Sequence, residues 1–147
     1  MINNISPIII YTDGGARGNP GIAGAGAVIF NATNSGQISG EPIAEVSSYL
    51  GDDKTNNYAE YQAIILALQK CIELGLQGNS IELRADSKLA VEQLSGRWKV
   101  KDLGIRKQFN EINTILKQFK CVKFTHVRRD LNKHADALAN EAMDRAI

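Results

Sequence analysis

Apolar positions in the first fifty residues fall in runs and alternations, and after residue 60 they fall mostly in helical spacing. Residues 8–12 (IIIYT) form an unbroken apolar, β-branched run, which predicts a strand buried on both faces. A Gly/Asn/Pro turn is predicted over 14–21, a second strand over 24–30 (GAGAVIF) and a third over roughly 41–50. Their short, turn-rich connections predict antiparallel hairpins.

Helical period then takes over. Tyr61, Ile64, Ile65, Leu68, Cys71 and Ile72 make one apolar stripe, ended by Gly75 and Gly78. Ile81, Leu83 and Ala85 alternate with Glu82 and Arg84, which predicts a strand. Ser87 caps a short helix over about 88–95. Ile105, Phe109, Ile112, Leu116 and Phe119 predict another amphipathic helix. Val122, Phe124 and Val127 predict a last strand, and Ala135, Leu138, Ala139, Ala142 and Met143 a terminal helix. The order βββαβααβα implies an α/β mixed sheet covered by helices, with hairpin strands antiparallel and helix-separated strands parallel.

Composition adds bounds. The 147 residues suit one domain with a real core. Hydrophobic residues are 44% and charged residues 22%, which excludes disorder and collagen-like structure. No apolar run approaches the ~20 residues of a membrane helix. The start, MINNISPIII, has neither a basic region nor a cleavage site, so no leader is expected there. Cys71 and Cys121 are in no metal-ligand pattern and read as buried reduced thiols, consistent with the cytoplasm. No apolar stripe is left over once the core is assigned, so a monomer is expected.

The chemistry lies in four acids at the edges of these elements. Asp13 ends an apolar strand and Asp86 ends Ile81–Ala85. Glu60 and Asp136 stand in the first turns of two helices, each beside a stripe residue. Singly, each has a plain reading: an Asx turn for Asp13, a cap for Asp86, helix-dipole compensation for Glu60 and Asp136. Together, with no basic residue immediately beside any of them, they would repel each other if brought close. Hard cations relieve such repulsion, and Mg²⁺ prefers oxygen ligands. Two such ions about 3.5–4 Å apart form a clamp for in-line phosphodiester displacement.

Four motifs bear on this. Tyr11-Thr12-Asp13-Gly14-Gly15 with Gly18-Asn19-Pro20-Gly21, then Thr55-Asn56-Asn57-Tyr58-Ala59-Glu60-Tyr61, then Ala85-Asp86-Ser87, then Asn132-Lys133-His134-Ala135-Asp136 stand in this order over residues 11–136. In order and spacing they resemble type 1 ribonuclease H. The resemblance implies the ribonuclease H-like fold, a five-stranded mixed sheet with three antiparallel strands first and then parallel ones, flanked by helices. Residues 1–147 would form a single catalytic domain. It implies an endonuclease that hydrolyses the RNA strand of RNA/DNA hybrids with two Mg²⁺ ions, Mn²⁺ being a possible substitute, to give 5′-phosphate and 3′-hydroxyl ends. Asp13, Glu60, Asp86 and Asp136 would be the catalytic metal ligands. Asn19, Asn56 and Asn57 match positions that contact the minor groove, where a 2′-hydroxyl distinguishes RNA from DNA. Thr55 matches a position that holds a phosphate of the DNA strand. Turn and cap chemistry is the structural alternative for the asparagines.

Two features depart from many members. The connection after Val127 is only Arg128-Arg129-Asp130-Leu131 and holds no histidine; Arg128 or Arg129 is the candidate replacement, with Arg128 taken as a substrate contact. His126 and His134 are assigned to strand and helix rather than to that role. The basic helix and loop that some bacterial members insert is absent, since Gly96-Arg97-Trp98-Lys99-Val100-Lys101 leads directly into the next helix. Trp98, Lys99 and Lys101 are candidate contacts to the DNA strand, the alternative being a core tryptophan with snorkelling lysines.

Other functions fit less well. A dinucleotide fingerprint starting at Gly24 would need glycine where Ile29 stands. A non-catalytic hybrid-binding module would lack one or more of the four carboxylates. A nuclease of DNA junctions or integration sites keeps the superfamily, but the Thr55-Asn56-Asn57 run and the Asn19 turn favour the RNA/DNA hybrid. The formal charge of +1 hides an asymmetry: residues 1–60 carry −4, and residues 97–133 carry 11 basic against 3 acidic residues. That basic stretch suits a polyanion.

Overall fold

A computed structural model describes residues 6–146; residues 1–5, which open the stretch read as carrying no leader, lie outside the described residues. Ile8, Ile9 and Ile10 are each at most 1% exposed, so the apolar run is buried on both faces. They open β1 (Ile8–Arg17), the centre of a five-stranded sheet of order β3-β2-β1-β4-β5. β2 (Gly21–Ala32) pairs antiparallel with β1 and with β3 (Ile38–Lys54). β4 (Ser80–Ala85) runs parallel to β1, and β5 (Cys121–His126) parallel to β4. The mixed sheet inferred above is present, with antiparallel strands first and parallel strands after.

Helices cover both faces. α1 (Asn56–Glu73) packs its stripe on β1 and β2, and α3 (Leu103–Leu116) packs on α1. Ile8, Ile10, Tyr61, Ile64, Leu68, Leu83 and Ile112 share that core with residues of α2 (Lys88–Leu94). On the other face α4 (Lys133–Arg145) lies across β1, β2 and β3, with Leu138 against Val28 and Phe30. A single 3₁₀ turn, Arg129–Leu131, links β5 to α4. No helix among the described residues is long and apolar enough to cross a membrane.

Three expectations are corrected. The turn predicted over 14–21 is confined to 18–20, because Asp13 to Arg17 continue β1 in register with Gly26 to Ile22. The third strand is longer than 41–50, following β2 through several register shifts. Cys71 is buried but Cys121 is exposed. Alternation along β5 puts Cys121 opposite Val122 and Phe124, on the outward face. Both thiols are free. Large apolar residues are also exposed: Ile38, Ile43 and Tyr49 on the edge strand β3, Leu74 after α1, and Trp98, Leu103 and Leu131.

Three glycines, Gly14, Gly24 and Gly26, let the helices approach the sheet closely, and the contacts at Gly14 and Gly26 are the tightest. A Cβ at Gly14 would lie 2.1 Å from the Ala59 carbonyl oxygen on α1. A Cβ at Gly26 would lie 2.2 Å from the Ala135 carbonyl oxygen on α4. Both obstacles are helix backbone, which cannot rotate aside. Gly26→Ala is therefore expected to cost about 1–3 kcal/mol or more through overpacking. At roughly 2–4 °C per kcal/mol, the melting temperature falls by several degrees. Gly78 has nothing within 4 Å of such a Cβ. Gly78→Ala is the control, and calorimetry on both variants checks the difference.

Candidate active site

The sheet register sets the first two acids side by side. Thr12 pairs with Ala85 as the last pair of the parallel β1–β4 ladder, so Asp13 and Asp86 follow directly beyond it, although β1 itself does not end at Asp13 as expected but continues to Arg17. Glu60 arrives from α1, whose backbone rests on Gly14 next to Asp13. Asp136 arrives from α4, whose backbone rests on Gly26, the cross-strand partner of Asp13. All four line one open cavity of about 400 Å³, with Asn56 and Arg129 on its wall.

Carboxylate oxygens of Asp13, Glu60 and Asp86 lie within 4.8 Å of one another. Asp136 stands within hydrogen-bond reach of Asp13. Burial is the main cause that pushes the Asp13 carboxyl up to about 8, followed by repulsion from Asp86 and the contact with Asp136. Burial and Asp86 push Glu60 up to about 7, while the Ser87 hydroxyl and the Arg129 charge pull the other way. Among the described residues none of the four acids takes part in an ion pair. An all-oxygen donor set with uncompensated negative charge fits hard divalent cations such as Mg²⁺ or Mn²⁺.

Neighbouring side chains hold this arrangement. Ser87 caps α2 by accepting from Ala90 N, which leaves Asp86 free of the capping role. Asn132 is 1% exposed and donates from Nδ2 to Thr12 O at 2.8 Å and to Asp86 Oδ2 at 3.3 Å. Sequence reasoning named Asn132 only as part of a motif. Its role in orienting Asp86 depends on a contact 46 residues away, which no local pattern carries.

The proposed substrate residues divide by environment. Thr55 caps α1, its hydroxyl accepting from Tyr58 N at 3.1 Å. Asn56 Oδ1 accepts from Ala16 N at 2.8 Å, and Asn19 Oδ1 accepts from Asn56 N at 3.1 Å. The two asparagines tie the β1–β2 turn to the start of α1, so the structural alternative holds for them as well. Asn57 is exposed in the first turn of α1. Trp98 is 45% exposed, which rules out the core alternative, and Lys99 and Lys101 are exposed beside it. Arg128 is exposed and pairs with Asp130 at 3.2 Å. It is Arg129, not Arg128, that lines the acidic cavity. Both belong to the short connection, Arg128 preceding the 3₁₀ turn and Arg129 opening it. His126 is exposed on β5, and His134 Nε2 meets Glu45 Oε2 at 2.6 Å.

Comparison with known proteins agrees with this geometry. A family model described as "Reverse transcriptase-like" matches residues 11–142. The "Bifunctional protein Rv2228c" of Mycobacterium tuberculosis is 42% identical over 139 residues, 95% of this chain and 36% of its own length. The chain thus spans about a third of the mycobacterial relatives it matches. "Ribonuclease HI" of Halobacterium salinarum is 41% identical over 136 residues, 92% of this chain and 64% of its own length. Among solved structures, LC11-RNase H1 in complex with RNA/DNA hybrid superposes with a TM-score of 0.85 at 43% identity, covering 95% of this chain and 98% of that one. With four acids converging from the middle of β1, the end of β4 and the starts of α1 and α4, in the order the motifs require, the chain belongs to the type 1 ribonuclease H family.

Proposed function

We propose that this chain is an endonuclease that hydrolyses the RNA strand of RNA/DNA hybrids, with Asp13, Glu60, Asp86 and Asp136 as the ligands of two Mg²⁺ ions. The observation that carries the reading is the convergence of three carboxylates within 4.8 Å, joined by a fourth, in an open cavity without a compensating ion pair. The relative solved with a hybrid supports the substrate class. When bound, such ions would supply positive charge for an in-line displacement at phosphorus that gives 5′-phosphate and 3′-hydroxyl ends.

The chain's own residues perform the remaining tasks. Asp13 and Asp86, set by the β1–β4 register, present oxygens to a common point. Asn132 keeps Asp86 turned inward, and the Ser87 hydroxyl favours the charged form of Glu60. Arg129 moderates the negative field on the cavity wall. Asn19 and Asn56 commit their oxygens to the backbone, which leaves their amide NH₂ groups to donate to a groove edge or a 2′-hydroxyl. Trp98, Lys99 and Lys101 offer a stacking surface and two charges to the other strand. Residues 1–147 act as one catalytic domain, monomeric, in a reducing compartment such as the cytoplasm, which its two free thiols suit.

Asp13→Asn is expected to abolish Mg²⁺-dependent cleavage, a loss of at least about a thousandfold, while hybrid binding persists or tightens as a negative charge is removed. The assay uses labelled hybrid, single-stranded RNA, duplex RNA and duplex DNA, each with Mg²⁺ or EDTA. Loss of only the hybrid's RNA strand supports the reading, and cleavage by a well-purified Asp13→Asn sample would falsify it.

A second expectation follows from the raised carboxyl values. The unfolded chain releases these protons near 3.8 and 4.5, whereas the folded chain holds them to about 8 and 7. Between those limits the folded state binds more protons, so its metal-free stability falls as pH rises. Divalent cations compete with the same protons. The Mg²⁺-induced rise in melting temperature is therefore expected to be larger at pH about 9 than at about 6, and differential scanning fluorimetry with MgCl₂ or EDTA measures it. An equal Mg²⁺ effect at both pH values contradicts the assignment.

A further inference from the structure

The segment between α2 and α3, residues 95–102, is held at more points than a surface connection requires. Arg97 N and Trp98 N both donate to the Glu92 carbonyl, at 2.9 and 3.1 Å. Gly96 makes the turn with a φ of 82°. The Arg97 guanidinium grips the Glu92 carboxylate through two bonds of 2.7 and 2.8 Å. The second half is tied down by a buried amide. Gln93 is 6% exposed on α2, and its Nε2 donates to the Lys99 carbonyl at 3.2 Å. Its Oε1 accepts from the Tyr61 hydroxyl at 2.5 Å. Val100 follows with its side chain buried, and its carbonyl accepts from Arg106. Trp98, Lys99 and Lys101 are left exposed.

A buried amide is costly unless both of its ends are bonded, and an apolar side chain of equal volume would fill the same space without that demand. What glutamine adds is direction. It fixes the Lys99 carbonyl to the hydroxyl of Tyr61, and Tyr61 is the residue after Glu60 on α1. The exposed ridge and a carboxylate of the cavity therefore share one rigid support. A contact surface ordered in advance avoids the entropy cost of ordering it when a ligand docks.

We infer that Gln93, clamped by Tyr61, is a positioning residue that presents Trp98, Lys99 and Lys101 as a preformed contact for a nucleic-acid strand, in register with the carboxylate cavity. The inference rests on the proposed hybrid substrate. With only residues 95–102 between the two helices, accurate placement of a few contacts takes the part that additional basic contacts would otherwise play.

Trp98 is the single tryptophan, so its fluorescence reports on this segment without any substrate. Gln93→Met retains the volume and removes both hydrogen bonds. Acrylamide quenching of Trp98 is expected to increase. The Kd for a labelled hybrid in EDTA is expected to weaken about five- to tenfold, the effect of losing one or two net hydrogen bonds. The kcat at saturating hybrid, well below the melting temperature, is expected to stay within about twofold, because a lost binding contact raises KM alone. Tyr61→Phe removes one hydroxyl and is expected to shift the same readouts in the same direction by less. It decides the matter by itself if Gln93→Met does not fold. Unchanged hybrid Kd overturns the inference whatever happens to stability. So does a kcat loss as large as the Kd loss, since the effect then reaches the carboxylates rather than the ridge. If the wild type binds hybrid without cleaving it, the proposed function falls, while Kd and quenching still judge Gln93. If it does not bind hybrid, both fall.

Discussion

The missing side chains at Gly14 and Gly26 are the constraint on which the site depends. Each admits a helix backbone to a distance that a methyl group would forbid. Gly14 follows Asp13 along β1, and Gly26 faces Asp13 across the ladder. The two contacts therefore bring α1 and α4 onto opposite sides of the same short stretch of sheet. Glu60 and Asp136 each follow directly after the residue whose carbonyl makes the contact. Close packing and chemistry are thus one arrangement, because interiors transmit even small volume changes.

The same closeness creates an electrostatic conflict. Burial and mutual repulsion hold Asp13 and Glu60 far above the ordinary carboxylate range. A fold selected for stability alone would separate such groups or pair them with basic residues. This one sets neutral polar groups beside the acids: Asn132 donates to Asp86, and the nearby Ser87 hydroxyl favours the charged form of Glu60. The result is a site whose stability is linked to the protons these carboxyls hold.

Around the acids, polar side chains serve two purposes. Asn56 and Asn19 close the junction between the β1–β2 turn and α1 through their oxygens, and Thr55 caps α1 beside it. A substitution there disturbs the fold as well as any ligand contact. The segment carrying Trp98 is built on the same plan, with Gln93 and Arg106 holding consecutive carbonyls while the larger side chains face outward.

Sequence alone determined the element order, the mixed sheet and the four acids, because those follow from periods of two and 3.6 residues and from motifs that are local in the chain. Tyr61, Ile64 and Leu68 lie in the core because their spacing left no other face for them. Glycines at 14 and 15 were legible as turn formers, and local propensity favours that reading. Only the tertiary structure turned them into strand, since a ladder with Ala25 and Gly24 and the pressing backbone of α1 outweigh a turn preference. It alone placed Arg129 rather than Arg128 on the cavity wall, exposed Cys121 and Trp98, and joined Asn132 to Asp86 and Gln93 to Tyr61. Those relations span many residues of chain, or turn on which way a single loop residue faces. Packing sets them, and no local pattern in the sequence encodes them.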